Sequence, residues 1–79
     1  MKRIHVQLTE AERLRVNRFR RTGRHAAREV NRAHILAGLD AGLSVVELQR
    51  VLGVTRVSVW RTASAYRTHG LDKALEDAR

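Results

Sequence analysis

The chain lacks cysteine and proline and has only three aromatic residues. The absence of cysteine excludes disulfide bonds and thiolate metal sites, and it fits a cytoplasmic setting. The absence of proline leaves helices without an internal breaker. Because Phe19, Trp60 and Tyr66 are the only aromatic residues, the core must be built from Ala, Val, Leu and Ile. This composition predicts an all-α fold, a small bundle of about four helices.

The chain also lacks a long apolar run, so we expect neither a membrane span nor a signal-peptide core. Its 79 residues allow one domain and no deep catalytic cleft. Sixteen Lys and Arg against eight Asp and Glu give a net charge of +8 and a pI near 11.6. A basic domain of this size usually binds nucleic acid and less often an acidic protein or anionic lipid. A basic surface can also serve solubility alone.

Capping residues and apolar periodicity predict four helices. They span residues 9–21, 25–41, 45–52 and 55–69. The first begins at a capping box formed by Thr9 and Glu12. Its core contacts are expected to be Leu8, Val16 and Phe19. The glycines are expected to separate these periodic segments rather than lie within them.

Residues 43–70 are the most informative segment, LSVVELQRVLGVTRVSVWRTASAYRTHG. Ser44 predicts the start of a short helix, and Gly53 supplies the backbone freedom for a sharp turn. Val54 is expected to fill the corner, and Thr55 to cap a longer basic helix. This succession is typical of a helix-turn-helix, whose second helix lies in the major groove of DNA. The apolar side of the short helix is predicted to consist of Val46, Leu48, Val51 and Leu52.

The two ends of the chain are predicted to lie outside this domain, which spans residues 9–70. Residues 1–8 alternate apolar and polar side chains, which favours an extended arm, a strand paired with a second copy, or a frayed terminus. Residues 71–79 have Asp72 as a cap and Leu75 as a lone apolar anchor. We expect them to form a short helical tail or the start of a linker.

The fourth predicted helix is about 22 Å long, enough to cross a major groove. Its core side is expected to consist of Val59, Ala63 and Tyr66. The residues expected to contact DNA from its other side are Thr55, Arg56, Ser58, Arg61 and Ser64. Contacts to the phosphate backbone are expected from Arg24, Arg28, Lys2 and Arg3.

These side chains also have plainer interpretations. Thr55 can serve only as a helix cap, and the arginines can be no more than solvated charges. Trp60 can pack on the arm or the first helix, stack near the sugar-phosphate backbone, or form a dimer contact. Partial burial is the commoner fate of a tryptophan, and we favour it.

No catalytic or metal site is indicated. The four histidines, at positions 5, 25, 34 and 69, lack the spacing of metal ligands. Glu10 and Glu12 are explained by the start of a helix, and the remaining carboxylates are scattered. We therefore expect no enzymatic activity, no cofactor, no metal and no small-molecule substrate.

Several pieces of the chain occur in an order and spacing typical of one family. They are LTEAER, NRAHIL, GLS, LGVTRVSV and GLDKAL, at residues 8–13, 31–36, 42–44, 52–59 and 70–75. In these pieces the chain resembles the N-terminal DNA-binding region of mariner-like bacterial insertion-sequence transposases. It departs from the family pattern at Gln49, where alanine is common, and at Thr62, where a large apolar residue is usual.

The resemblance implies a homeodomain-like helical domain that binds the terminal inverted repeats of a mobile element. The family's catalytic domain, an acidic triad that uses a divalent metal, would follow residue 79. We therefore expect the DNA-binding part alone, in a bacterial cytoplasm and associated with the nucleoid. Two other hypotheses stay open. One is a small dimeric transcriptional regulator or antitoxin-like protein, and the other is an enzyme fragment that needs a partner chain.

Overall fold

The computed structural model describes residues 5–21 and 27–75, and this part of the chain is built from five helices. They are α1 (Glu10–Arg21), α2 (Ala27–Asp40), α3 (Val45–Leu52), α4 (Arg56–His69) and α5 (Leu71–Leu75). The prediction of an all-α bundle is confirmed, and no strand is present in these two ranges. The predicted start of the second helix at residue 25 lies outside the described residues.

Local hydrogen bonds explain where α1 and α3 begin. The amide of Glu12 donates to Thr9 Oγ1 (3.1 Å), and the amide of Thr9 donates to Glu12 Oε1 (2.9 Å), so the predicted capping box is confirmed. Ser44 and Glu47 form a second box, with distances of 3.1 and 2.8 Å. The carboxylate in this second box belongs to Glu47, one of the acidic residues to which the sequence alone assigns no role. These bonds satisfy amides that have no partner within a helix.

The corner between α3 and α4 is made by Gly53. Its φ of +70° lies in the left-handed region, which glycine adopts without steric cost. Its amide donates to the carbonyl of Gln49 (2.9 Å) and ends α3. Val54 is half-buried against the core, as expected for the residue that fills the corner.

The core surrounds α2, which contacts each of the other four helices. Ile35 and Leu36 are fully buried at its centre. Gly38 lies inside α2, so the expectation that glycines only separate segments is wrong. A Cβ at Gly38 would lie 2.5 Å from Leu48 Cδ2 and 3.2 Å from Leu43 Cδ1. The missing side chain therefore lets α3 approach α2 closely.

The predicted apolar side of α3 is only partly correct. Leu48 is buried and Leu52 packs against the core, but Val46 and Val51 are 61% and 72% exposed. Val45 packs against the core instead. The helix is too short for its pattern alone to locate the buried side, and the approach to Gly38 decides it.

The described part of the N-terminal segment, residues 5–9, is ordered coil that packs on the helices. Val6 and Leu8 are buried, so their alternation reflects core packing rather than strand pairing. The carboxylate of Asp40 accepts the Leu8 amide (2.9 Å) and the Nε of Arg13 (2.7 Å). A frayed terminus is therefore the wrong interpretation for residues 6–8.

The last helix, α5, belongs to the same core. It packs on α4 and α2, and Leu71 and Ala74 are buried beside Leu75. Leu75 is therefore not a lone anchor. Asp72 does not cap the helix, because α5 already begins at Leu71. Its carboxylate pairs with Arg15 on α1.

Candidate nucleic-acid interface

The α3–turn–α4 unit presents a long helix supported from one side. α4 contains 14 residues and is therefore about 21 Å long. Thr55 caps it in an extended conformation, at φ −86° and ψ 160°. Leu48 below the corner is 1% exposed, which fixes α3 against the core. The unit therefore holds α4 at a defined angle with one side facing outward.

The inner side of α4 is apolar. Val59 and Ala63 are buried, as predicted, and Tyr66 is half-buried. Thr62 is also buried, and its hydroxyl donates to the carbonyl of Ser58 (2.9 Å). This bond to its own helix explains how a polar residue occupies a buried position.

Tyr66 ties this inner side to the start of α1. Its hydroxyl donates to Glu12 Oε1 (2.5 Å) and lies 3.3 Å from the carbonyl oxygen of Gln7. Partial burial and the neighbouring Glu12 carboxylate raise the pKa of Tyr66 to about 12. Hydrogen bonds from the Thr9 amide and from Tyr66 lower the pKa of Glu12. α1 therefore lies on the side of α4 opposite to the outward one.

The outward side of α4 carries most of the predicted DNA-binding residues. Thr55, Arg56, Ser58 and Arg61 are exposed, and Ser64 is half-buried. Arg61 and Ser64 lie on the side of α4 opposite Val59, and Arg56 and Ser58 lie on its two flanks, so contact of all five with DNA stays a prediction. Arg28 on α2 is exposed. Arg24, Lys2 and Arg3 lie outside the described residues.

The N-terminus of α4 combines a cap with an available donor. Thr55 Oγ1 accepts the amide of Ser58 and donates to Ser58 Oγ, both at 3.1 Å. Because Ser58 is the acceptor in the second bond, its own hydroxyl hydrogen can be donated to an outside oxygen. The positive end of the helix dipole lies at the same place, which favours an anion there.

The charges of α4 differ from those of α1. α4 contains no acidic residue, and within residues 5–21 and 27–75 neither Arg56 nor Arg61 forms an ion pair. On α1, Arg13 pairs with Asp40 and Arg15 with Asp72. Intramolecular carboxylates therefore offset charge on α1, whereas the outward side of α4 keeps its positive charge.

A third α1 arginine is held by a histidine. Arg20 Nε donates to His34 Nδ1 (2.9 Å). Partial burial and the adjacent guanidinium lower the pKa of His34, which favours the neutral imidazole that can accept this bond. The imidazole fixes the direction of the Arg20 side chain without neutralising its charge.

Two apolar residues of the outward side were missed or placed differently by sequence analysis. Val57 is 57% exposed and was not singled out. Trp60 is 59% exposed and is not among the apolar side chains that pack against the core within the described residues, so the expectation of partial burial is wrong. A helical wheel centred on Val59 would have identified both, because Val57 falls nearly opposite the buried residues and Trp60 falls about 100° from Val59, outside the buried side.

Comparison with known proteins agrees with this geometry. Residues 26–75 match the family model of a homeodomain-like domain. The chain belongs to the homeodomain-like domain family. The matched residues end at the last residue of α5, so the family model includes that helix. The match does not include α1. No curated protein and no solved structure matched the chain.

Neither a metal site nor a membrane-spanning helix occurs in the described residues. Across residues 5–21 and 27–75, no three His, Asp or Glu side chains are grouped so that they could hold a metal ion. No helix in these ranges has the combination of length and apolarity needed to cross a bilayer.

Proposed function

We propose that the chain binds double-stranded DNA in a sequence-specific manner, with α4 in the major groove and no catalysis of its own. The observation that carries the proposal is the outward side of α4, which presents Arg56, Ser58 and Arg61 on a helix without carboxylates. DNA is a polyanion whose groove admits one α helix, so shape and charge both match.

Separate roles follow for the residues of this surface. Arg61 lies beyond the first turn and on the outward side, where its guanidinium can pair with the O6 and N7 atoms of a guanine. Arg56, Thr55 and Ser58 lie at the helix N-terminus, where phosphate oxygens or base edges would be bound. We assign Arg28, together with Arg24 and the residues of the arm, to the phosphate backbone.

The sequence resemblance supports a more specific proposal. Residues 8–75 resemble the DNA-binding region of mariner-like transposases, so we infer a transposase-derived protein that recognises terminal inverted repeats. The homeodomain-like fold is compatible with this origin, and many regulators share it. A duplex carrying the inverted repeats that flank a neighbouring mobile element is the direct probe.

Binding is tested by titrating a labelled duplex, selected by the chain from random sequences, at several salt concentrations. If the surface neutralises about four phosphates, log K should fall with log [salt] with a slope of about −3.6. A flat response, or a failure to enrich any sequence, would contradict the proposal.

Arg61→Ala tests the role of α4. It should cost about 1–3 kcal/mol of binding free energy and relax the preference at one base pair. Arg21→Ala removes another exposed arginine, on α1, and is the matched control. Equal losses in the two variants would mean that α4 contributes only general charge.

A dimeric regulator is the second candidate, and the exposure of Val46 and Val51 on α3 favours it. Paired domains would read two half-sites about 34–36 Å apart. Sedimentation equilibrium at micromolar concentration, with and without a selected duplex, distinguishes a dimeric regulator from a chain that binds DNA as a monomer. A monomer under both conditions excludes the dimeric regulator.

A further inference from the structure

We propose that Val57 and Trp60 form an apolar strip on α4 that contacts thymine methyl groups, so that the chain prefers T·A pairs at the positions facing this strip. The inference rests on the proposed DNA binding. It adds the residues that determine one part of the sequence preference, and it assigns them to a chemical group of the base.

The strip is defined by exposure and by helix geometry. Val57 and Trp60 are 57% and 59% exposed, whereas Val59 between them is fully buried. Residues three apart are neighbours on a helix surface and differ by about 4.5 Å along its axis. Successive bases on a strand are about 3.4 Å apart, so the two side chains span one to two base steps.

The charges around the strip favour DNA over a second copy of the chain. Arg56 and Arg61 flank the strip, and α4 offers no carboxylate to pair with them. In a two-fold dimer the same patch meets itself, which would bring arginines against arginines. A polyanion instead lets the flanking guanidinium groups bind phosphates or guanine while the apolar side chains reach the base edges.

The chemistry of the groove then selects the base. Among the groups that base pairs present in the major groove, the C5 methyl of thymine is apolar and the others are donors or acceptors. The branched methyls of Val57 and the indole of Trp60 gain little from polar base edges, but they can bury a methyl. Burial of one methyl should strengthen binding about fourfold.

Deoxyuridine provides the test, because it lacks only this methyl and keeps the hydrogen-bonding groups of thymine. A duplex selected by the chain from random sequences is synthesised once with thymine and once with deoxyuridine at every T. The unmodified chain should bind the deoxyuridine duplex about fourfold more weakly for each methyl contacted. Equal affinity for the two duplexes would overturn the inference and leave DNA binding intact.

Variants locate the contact. The double variant Val57→Ala and Trp60→Ala should lose the thymine-over-deoxyuridine ratio while it keeps the salt dependence of binding. Leu14→Ala removes another exposed apolar side chain, on α1, and should keep the ratio. Circular dichroism checks that each variant is folded, and both changed positions of the strip are exposed.

The outcomes separate two failures. A ratio that persists in the double variant means that the methyl acts elsewhere, through DNA shape or another residue, and overturns the inference. Dissociation of a dimer by the double variant with an unchanged ratio would identify a second copy as the occupant. If no sequence is enriched and binding does not depend on salt, the proposed function fails, and the inference fails with it.

Discussion

Asp40→Asn should destabilise the fold, because Asp40 joins three parts of the chain. Its carboxylate accepts the amide of Leu8 (2.9 Å), the Nε of Arg13 (2.7 Å) and the Nη2 of Arg13 (3.2 Å). The side chain of Asp40 is 8% exposed and that of Arg13 is 50% exposed. One carboxylate at the end of α2 therefore fastens both α1 and the N-terminal segment.

The magnitude follows from what asparagine keeps and loses. Its Oδ1 can still accept the Leu8 amide, but its amide group turns a donor toward the donors of Arg13. A hydrogen bond to a charged group contributes about 1.5–3 kcal/mol, and the half-exposed Arg13 regains water. We therefore expect a loss of about 2 kcal/mol in the free energy of unfolding. For a domain of this size, the melting temperature should fall by about 10 °C.

The loss of stability caused by Asp40→Asn should depend on pH. The Arg13 guanidinium and the Leu8 amide lower the pKa of Asp40. A carboxylate whose pKa is lowered on folding stabilises the protein above its unfolded pKa of about 3.9, and this contribution is lost as the pH falls through the folded value. The difference in free energy of unfolding between the unmodified chain and Asp40→Asn should therefore be full at neutral pH and shrink below about pH 4.

Thermal unfolding followed by far-ultraviolet circular dichroism measures the difference in stability between the unmodified chain and Asp40→Asn. Asp72→Asn is the matched control, because its pair with Arg15 is exposed on both sides and should contribute little. An Asp40→Asn melting temperature equal to that of the control would refute the reasoning. So would a difference that stays constant down to acid pH.

Substitutions at three further positions probe the fold. Gly38→Ala places a Cβ 2.5 Å from Leu48 Cδ2. Its overpacking cost of about 1–3 kcal/mol should outweigh the helix propensity gain of about 1 kcal/mol and lower the urea midpoint. Gly53→Ala should cost about 1 kcal/mol in the same assay, because φ is +70° there, and Gly53→Asn should cost less. Tyr66→Phe should lose about 1–2 kcal/mol with the hydroxyl bond to Glu12. In an absorbance titration, Tyr66 should ionise near its raised pKa of about 12, and ionisation near 10 would contradict its bond to Glu12. The stability from that bond is full below the unfolded pKa of about 10 and is lost as the pH rises through the folded value.

Helix ends were predictable because their determinants are local. Thr9 and Glu12 lie three residues apart, as do Thr55 and Ser58, and Gly53 needs only its own backbone angles. The family match covers 26–75, so the homeodomain-like fold was predictable too. The exposure of Arg56 and Arg61 also followed from periodicity, because α4 is long enough for the pattern to define an inner side.

Contacts between distant residues were not predictable. Leu8 and Asp40 are 32 positions apart, and Tyr66 and Glu12 are 54 apart. A carboxylate in a sequence does not indicate which amide or hydroxyl will reach it. For that reason Asp40 was considered one of the scattered acids, and Glu12 was explained by its helix start alone.

The sequence by itself determined four of the helices, the N-terminal caps of three of them, the sharp corner and the cationic character of α4, since each arises within a few residues or one helix turn. Only the tertiary structure decided that α5 and residues 6–8 join the core and that α3 approaches α2 closely at Gly38. Those outcomes depend on which surfaces meet, and packing brings together residues that the sequence keeps far apart.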